Sequence, residues 1–138
     1  MMARDAYHSA VRKALEKENW EITADPLHLE FLDADLWIDL GAEKLIAADR
    51  AGQKIAVEIK SFLSASALSE FHKALGQYMN YLEALAHLEP DRILYLAVPL
   101  DVYETFFLTR FGQHAIQRFQ LRLIVYVVES EVITQWLP

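Results

Sequence analysis

A chain of 138 residues without a cysteine excludes a disulfide framework and a thiolate metal site, and a content of 54% hydrophobic and 24% charged residues excludes a disordered tail. The length predicts one domain with a real core, since about two-thirds of the unfolded surface would be lost on folding. Thirteen Lys and Arg against 20 Asp and Glu give a formal charge of −7, so without help from a partner or a divalent metal the chain is expected to bind nucleic acid weakly, because such binding needs several basic contacts to phosphates.

The pattern of apolar residues then fixes the elements in order. Asp5 to Glu18 reads as a helix with Tyr7, Val11, Ala14 and Leu15 on one stripe and Asp5 as N-cap. Trp20–Thr23 reads as a strand that stops at Asp25-Pro26, because proline holds its predecessor extended. Residues 27–39 alternate loosely and read as an irregular strand or an excursion before Gly41. Two strands follow, about 43–49 and 54–60, joined by a turn at Ala51-Gly52. Ser64 and Ser66 offer caps for a long helix from Ala67 to Leu88, with Leu68, Phe71, Leu75, Met79, Leu82 and Leu85 at helical spacing, and Glu89-Pro90-Asp91 stops it. Ile93–Val98 is a continuous apolar run, as a buried central strand requires. A short helix at 101–111 closed by Gly112, a helical turn at 113–119, a buried strand at 121–128 and a last strand at 132–136 complete the chain. Helices between apolar strands predict an α/β three-layer domain with a central mixed β-sheet.

No apolar h-region follows Met1–Asp5, so no signal peptide is expected. The apolar runs Ile93–Leu100 and Leu121–Val128 are too short for a bilayer, and a cytoplasmic protein with no membrane contact is expected.

The turn at Ala51-Gly52 sets a register in which Ala48 faces Ile55, Ile46 faces Val57 and Lys44 faces Ile59, a mostly apolar and therefore core face. The other face pairs Asp49 with Lys54, Ala47 with Ala56, Leu45 with Glu58 and Glu43 with Lys60. Side chains alternate strictly along a strand, so this second face collects Glu43, Glu58 and Lys60. Glu43 and Glu58 are diagonal neighbours roughly 7–8 Å apart, close enough to bend toward one divalent ion. Asp39 lies roughly 13 Å further along an extended strand and is the fallback ligand, reaching the ion only if the chain folds back at Gly41. Two carboxylates and a lysine on one face predict phosphodiester hydrolysis: the carboxylates hold Mg2+ or Mn2+, the ion polarises phosphorus and helps ionise a water, and Lys60 orients that water or stabilises developing charge. The competing account of each residue is a solvated surface or a cross-strand ion pair.

An acid followed by Glu58-Ile59-Lys60 at a strand end, then a helix, resembles the PD-(D/E)XK superfamily of restriction-endonuclease-like nucleases, although the only Pro-Asp pair, Pro90-Asp91, falls after the hairpin and Glu43 stands in for its acid. Longer strings resemble the XisH family, the fdxN element excision controlling factors of cyanobacteria: Asp5-Ala6-Tyr7-His8, Trp20–Thr23 with Asp25-Pro26-Leu27, Asp39–Ala48, Ile55–Phe62, Ala74–Tyr81 and Pro90–Pro99. The resemblance implies a restriction-endonuclease-like fold and a role in programmed DNA excision beside a site-specific recombinase and a small companion, XisI. It also implies that a polar residue of the long helix, Gln77, stands near the metal site, and offers His8 and Asp5 as first-helix candidates.

His28, His72, His87 and His114 show no ligand spacing. Asp33, Asp35 and Asp39 lack the glycine and terminal glutamate of a calcium loop and read as a solvated edge. Tyr103, Phe106, Phe107 and Phe111 read as core, or as a homodimer or partner surface where exposed.

Overall fold

The computed structural model describes residues 3–36 and 45–138. Helix α1 runs Ala3–Lys17 and is followed by strand β1 (Glu21–Ala24), the small hairpin β2 (Glu30–Phe31) and β3 (Ala34–Asp35), β4 (Leu45–Arg50) and β5 (Gln53–Ile59). Then come α2 (Ala67–Leu88), β6 (Arg92–Pro99), a short helical turn α3 (Leu100–Val102) continuing into a π-turn at Tyr103–Phe107, α4 (Arg110–Phe119), β7 (Leu123–Val127) and β8 (Val132–Leu137).

Six strands form one mixed sheet in the order β1-β4-β5-β6-β7-β8, with β5-β6 and β6-β7 parallel and the other pairs antiparallel. The two parallel steps go the same way across the sheet, so crossovers of one hand must lay their helices on the same face. That is what is found. α2 and α4 cover Leu45, Ala47, Ala56, Leu96 and Val125, while α1 packs Val11 and Leu15 on Ile46, Val57, Ile59 and Ile124 on the other face. The predicted three-layer α/β arrangement holds, and among the described residues no helix is long and apolar enough to cross a membrane.

The predicted hairpin register holds pair for pair from Arg50↔Gln53 to Leu45↔Glu58. The turn works because Ala51 and Gly52 both take positive φ, 49° and 85°, the twist that matches flanking strands. The long helix has its predicted ends: the Ser66 side chain accepts from the Ser69 N–H, and Glu89 caps the other end.

Three expectations are corrected. Asp5 does not precede α1 but sits in its first turn, where a carboxylate still meets the positive end of the helix dipole. Gly112 does not close a helix; it lies in the first turn of α4, whose cap is Thr109. A Cβ there would stand 2.4 Å from the Phe106 carbonyl oxygen and 2.6 Å from Phe107 Cα, so glycine is required by close approach to the π-turn. The third concerns the second hairpin face, which is not an open surface. Leu45, Ala47 and Ala56 on it are buried under α2, so both faces of the hairpin are core.

Candidate functional site

Glu58 and Lys60 leave the sheet on the face that α2 covers, at the carboxyl end of β5. Two backbone bonds fix this point. The Lys60 N–H donates to the Ala97 carbonyl at 3.0 Å, extending the β5-β6 ladder by one residue, and the Tyr126 hydroxyl donates to the Lys60 carbonyl at 2.9 Å. With the backbone held, the Lys60 ammonium stands 3.7 Å from the Glu58 carboxylate and donates to the Gln77 side-chain carbonyl on α2. Their side chains are almost closed to water, 10% exposed for Lys60 and 3% for Glu58.

The environment is charged in an apolar setting. Burial is the largest cause raising the Tyr78 phenol above its ordinary 10.0; the Arg122 N–H, which donates to it at 3.3 Å, and the Arg122 charge oppose this, while the Glu58 carboxylate adds to the rise. Tyr78 in turn donates to the Leu94 carbonyl at 3.3 Å.

The structure therefore brings together three of the sequence-predicted residues, Glu58, Lys60 and Gln77. Glu43 and Asp39 lie outside the described residues. Among the described residues no group of three or more His, Asp or Glu gathers to hold a metal. Glu58 is a hard oxygen donor, and the Lys60 ammonium beside it balances its charge.

His8 has a different partner. It hydrogen-bonds Asp25 Oδ2 through Nε2 at 2.8 Å, and Arg12 donates to the same oxygen at 2.6 Å. Burial pushes Asp25 up, but the bonds and charges of His8 and Arg12 outweigh it and hold the carboxyl below its usual 3.8. In the sequence Asp25 reads only as a turn residue, although His8 and Arg12 at i and i+4 on one helix face signal a shared acidic partner. Tyr126, which pins Lys60, had no sequence signal at all, lying 66 positions away.

One stretch of the chain is basic, which net charge conceals. Residues 105–128 contain no acid, and Arg110, Arg118 and Arg122 on or just after α4 are exposed, with no ion pair among the described residues.

Comparison with known proteins gives a consistent answer. The family model described as XisH protein matches residues 1–134. The crystal structure of an XisH family protein from Nostoc punctiforme PCC 73102 superposes with a TM-score of 0.90 at 50% identity, covering 97% of this chain and 100% of that one. The crystal structure of a fdxN element excision controlling factor protein from Anabaena variabilis gives 0.90 at 52% identity, covering 97% and 99%. No curated protein matches the chain.

Proposed function

Because this chain belongs to the XisH family, we propose that it acts in programmed DNA rearrangement as an element excision controlling factor on a PD-(D/E)XK, restriction-endonuclease-like domain, and that Glu58, Lys60 and Gln77 are its phosphodiester-cleaving residues. One observation carries the catalytic part: an acid and a base, both nearly closed to water, meet 3.7 Å apart under α2. A buried ion pair seldom stabilises a fold more than apolar residues of the same volume would, so its presence is better accounted for by chemistry than by stability.

In this reading Glu58 would hold a divalent ion with Glu43, or with Asp39 as the alternative ligand, and Mg2+ or Mn2+ bound there would supply polarisation of the phosphodiester and a more acidic water. Lys60 stabilises the negative charge that develops on the phosphate oxygens, and Gln77 aims the ammonium by accepting a hydrogen bond from it. Arg110, Arg118 and Arg122 offer cations for the DNA backbone, a few contacts only, which agrees with weak affinity in isolation and with a need for XisI or a recombinase.

A second reading has its own observation. Glu58 and Lys60 are 2% and 8% exposed, too closed for a phosphodiester to enter unless the site opens, which favours a non-catalytic assembly module that binds XisI or the recombinase. Plasmid nicking with Mg2+ or Mn2+, with and without the companion, separates the two. Nicking by the wild type that Glu58→Gln abolishes supports the catalytic reading; nicking that survives Glu58→Gln removes this site; no nicking under either condition favours the module.

A further inference from the structure

The apolar residues of α2 do not all face the core. Phe71, Tyr78 and Leu85 are buried, whereas Leu68, Met79 and Leu82 are between 40% and 46% exposed and Leu75 is half-buried among them. At about 100° per residue, Leu68, Leu75, Met79, Leu82 and Ala86 lie within about 40° of one line along the helix. Single exposed apolar side chains are ordinary, but a stripe sustained over about five turns is not. Phe111 of α4, itself exposed, continues the patch: its ring lies 6.1 Å from Phe71, on the side of α2 next to the stripe.

The spacing of the stripe points to its occupant. Leu68 and Ala86 stand symmetrically before and after position 77, and so do Leu75 and Met79. A twofold axis at that position lays the stripe antiparallel on its own copy, Leu68 over the partner's Ala86 and Leu75 over the partner's Met79, as an isologous interface demands. Charge obeys the same symmetry. His72 and Lys73 precede the centre and Glu83 follows it, all on one flank, so each Glu83 comes beside the partner's His72 and Lys73. Gly76 supplies a separate reason. It is exposed near the middle of a 22-residue helix, where glycine lowers helix stability, and a Cβ built on it meets nothing within 4 Å among the described residues. Packing within the protomer makes no demand for glycine there, whereas close approach of a second helix at the centre of the pair does.

We infer that α2 is the interface of a symmetric homodimer, in which two copies pack their α2 helices antiparallel about position 77 and Phe111 of each lies beside the partner's Leu82. The surface is distinct from the Glu58 site, because Gln77 reaches Lys60 from the opposite side of the same helix. The inference is independent of the proposed cleavage chemistry.

Sedimentation velocity of the whole protein from nanomolar to tens of micromolar concentration should find a species of twice 15.9 kDa that dissociates on dilution. Met79→Arg puts a charge near the centre of the stripe at an exposed position; it should weaken association at least a hundredfold and leave the circular dichroism spectrum unchanged. Leu32→Arg, at an exposed leucine outside the stripe, should leave association unchanged. Gly76→Ala should weaken association about tenfold yet raise the urea midpoint of the Met79→Arg monomer, opposite effects that a glycine needed only for folding does not produce. The chain has no cysteine, so cross-linking reads the register cleanly. An oxidised mixture of Leu68→Cys and Ala86→Cys should give a disulfide-linked dimer, and either variant alone should not, its two thiols being roughly 27 Å apart along the pair. The inference is overturned if the protein stays at 15.9 kDa throughout, which leaves the stripe to a different protein, if Met79→Arg associates like the wild type, or if Leu68→Cys alone cross-links as fast as the mixture.

Discussion

The central strands carry an ion cluster at each end, and the two are built differently. At the start of β6, Arg92 reaches Asp49 at 3.0 Å, Glu89 at 2.9 Å and the Ile55 carbonyl at 3.1 Å; the cation is 8% exposed, but its carboxylates are 34% and 35% exposed and remain hydrated. At the end of β5, Glu58 and Lys60 have both surrendered their water and hold each other at 3.7 Å, outside hydrogen-bond length. The first arrangement fastens a turn at low desolvation cost. The second desolvates both charges at high cost, with the Gln77 carbonyl accepting a hydrogen bond from the cation.

The sharpest way to break this contrast is to remove one buried partner. Lys60→Met removes the cation 3.7 Å from the buried Glu58 carboxylate and should cost about 3–5 kcal/mol in urea unfolding, whereas Glu58→Gln/Lys60→Met should recover most of the loss. If the single substitution costs no more than one at the exposed cluster, the two ends are equivalent and the argument from desolvation fails. Gly112→Ala, which forces a Cβ against the backbone of the π-turn, should cost about 1–3 kcal/mol and serves as a purely steric reference with no charge change.

Asp25→Asn should cost about 1–2 kcal/mol at neutral pH through weakened bonds to His8 and Arg12. Folding lowers the Asp25 pKa, so its contribution is complete above pH 3.8 and fades as pH falls through the folded-state value. Acid titration of stability should therefore be shallower in Asp25→Asn than in the wild type over that range. The smallest effect belongs to Asp49→Asn, within about 1 kcal/mol and reduced further in 1 M NaCl, since exposed pairs are screened. Salt insensitivity of Lys60→Met beside salt sensitivity of Asp49→Asn would sharpen the distinction between the two clusters.

Local chemistry was legible in the sequence wherever a single segment settles it. α2 ends where Ser66 and Glu89 place its caps, and the Ala51-Gly52 turn fixes the β4-β5 register down to the pairing of Leu45 with Glu58. The side of the strand that Glu58 and Lys60 share follows from that register, and the closeness of Gln77 followed from the family resemblance. The 101–119 region was misread because the demand on Gly112 comes from the Phe106 carbonyl pressed against it across a π-turn, and periodicity cannot show a close approach between two turns.

What only the tertiary structure decided is burial and long-range partnership. The hairpin face bearing Glu58 alternates apolar and polar residues as an open surface would, yet successive same-handed crossovers place α2 over it and turn an apparent surface pair into a desolvated one. Asp25 with His8 and Arg12, Tyr126 with Lys60, and Trp20 with Tyr95 and Trp136 are joined by residues distant in the chain. Alternation and capping are written in neighbouring residues because they arise from backbone geometry, whereas dielectric environment is a property of whatever packs above a side chain, and that is set by the path of the whole chain.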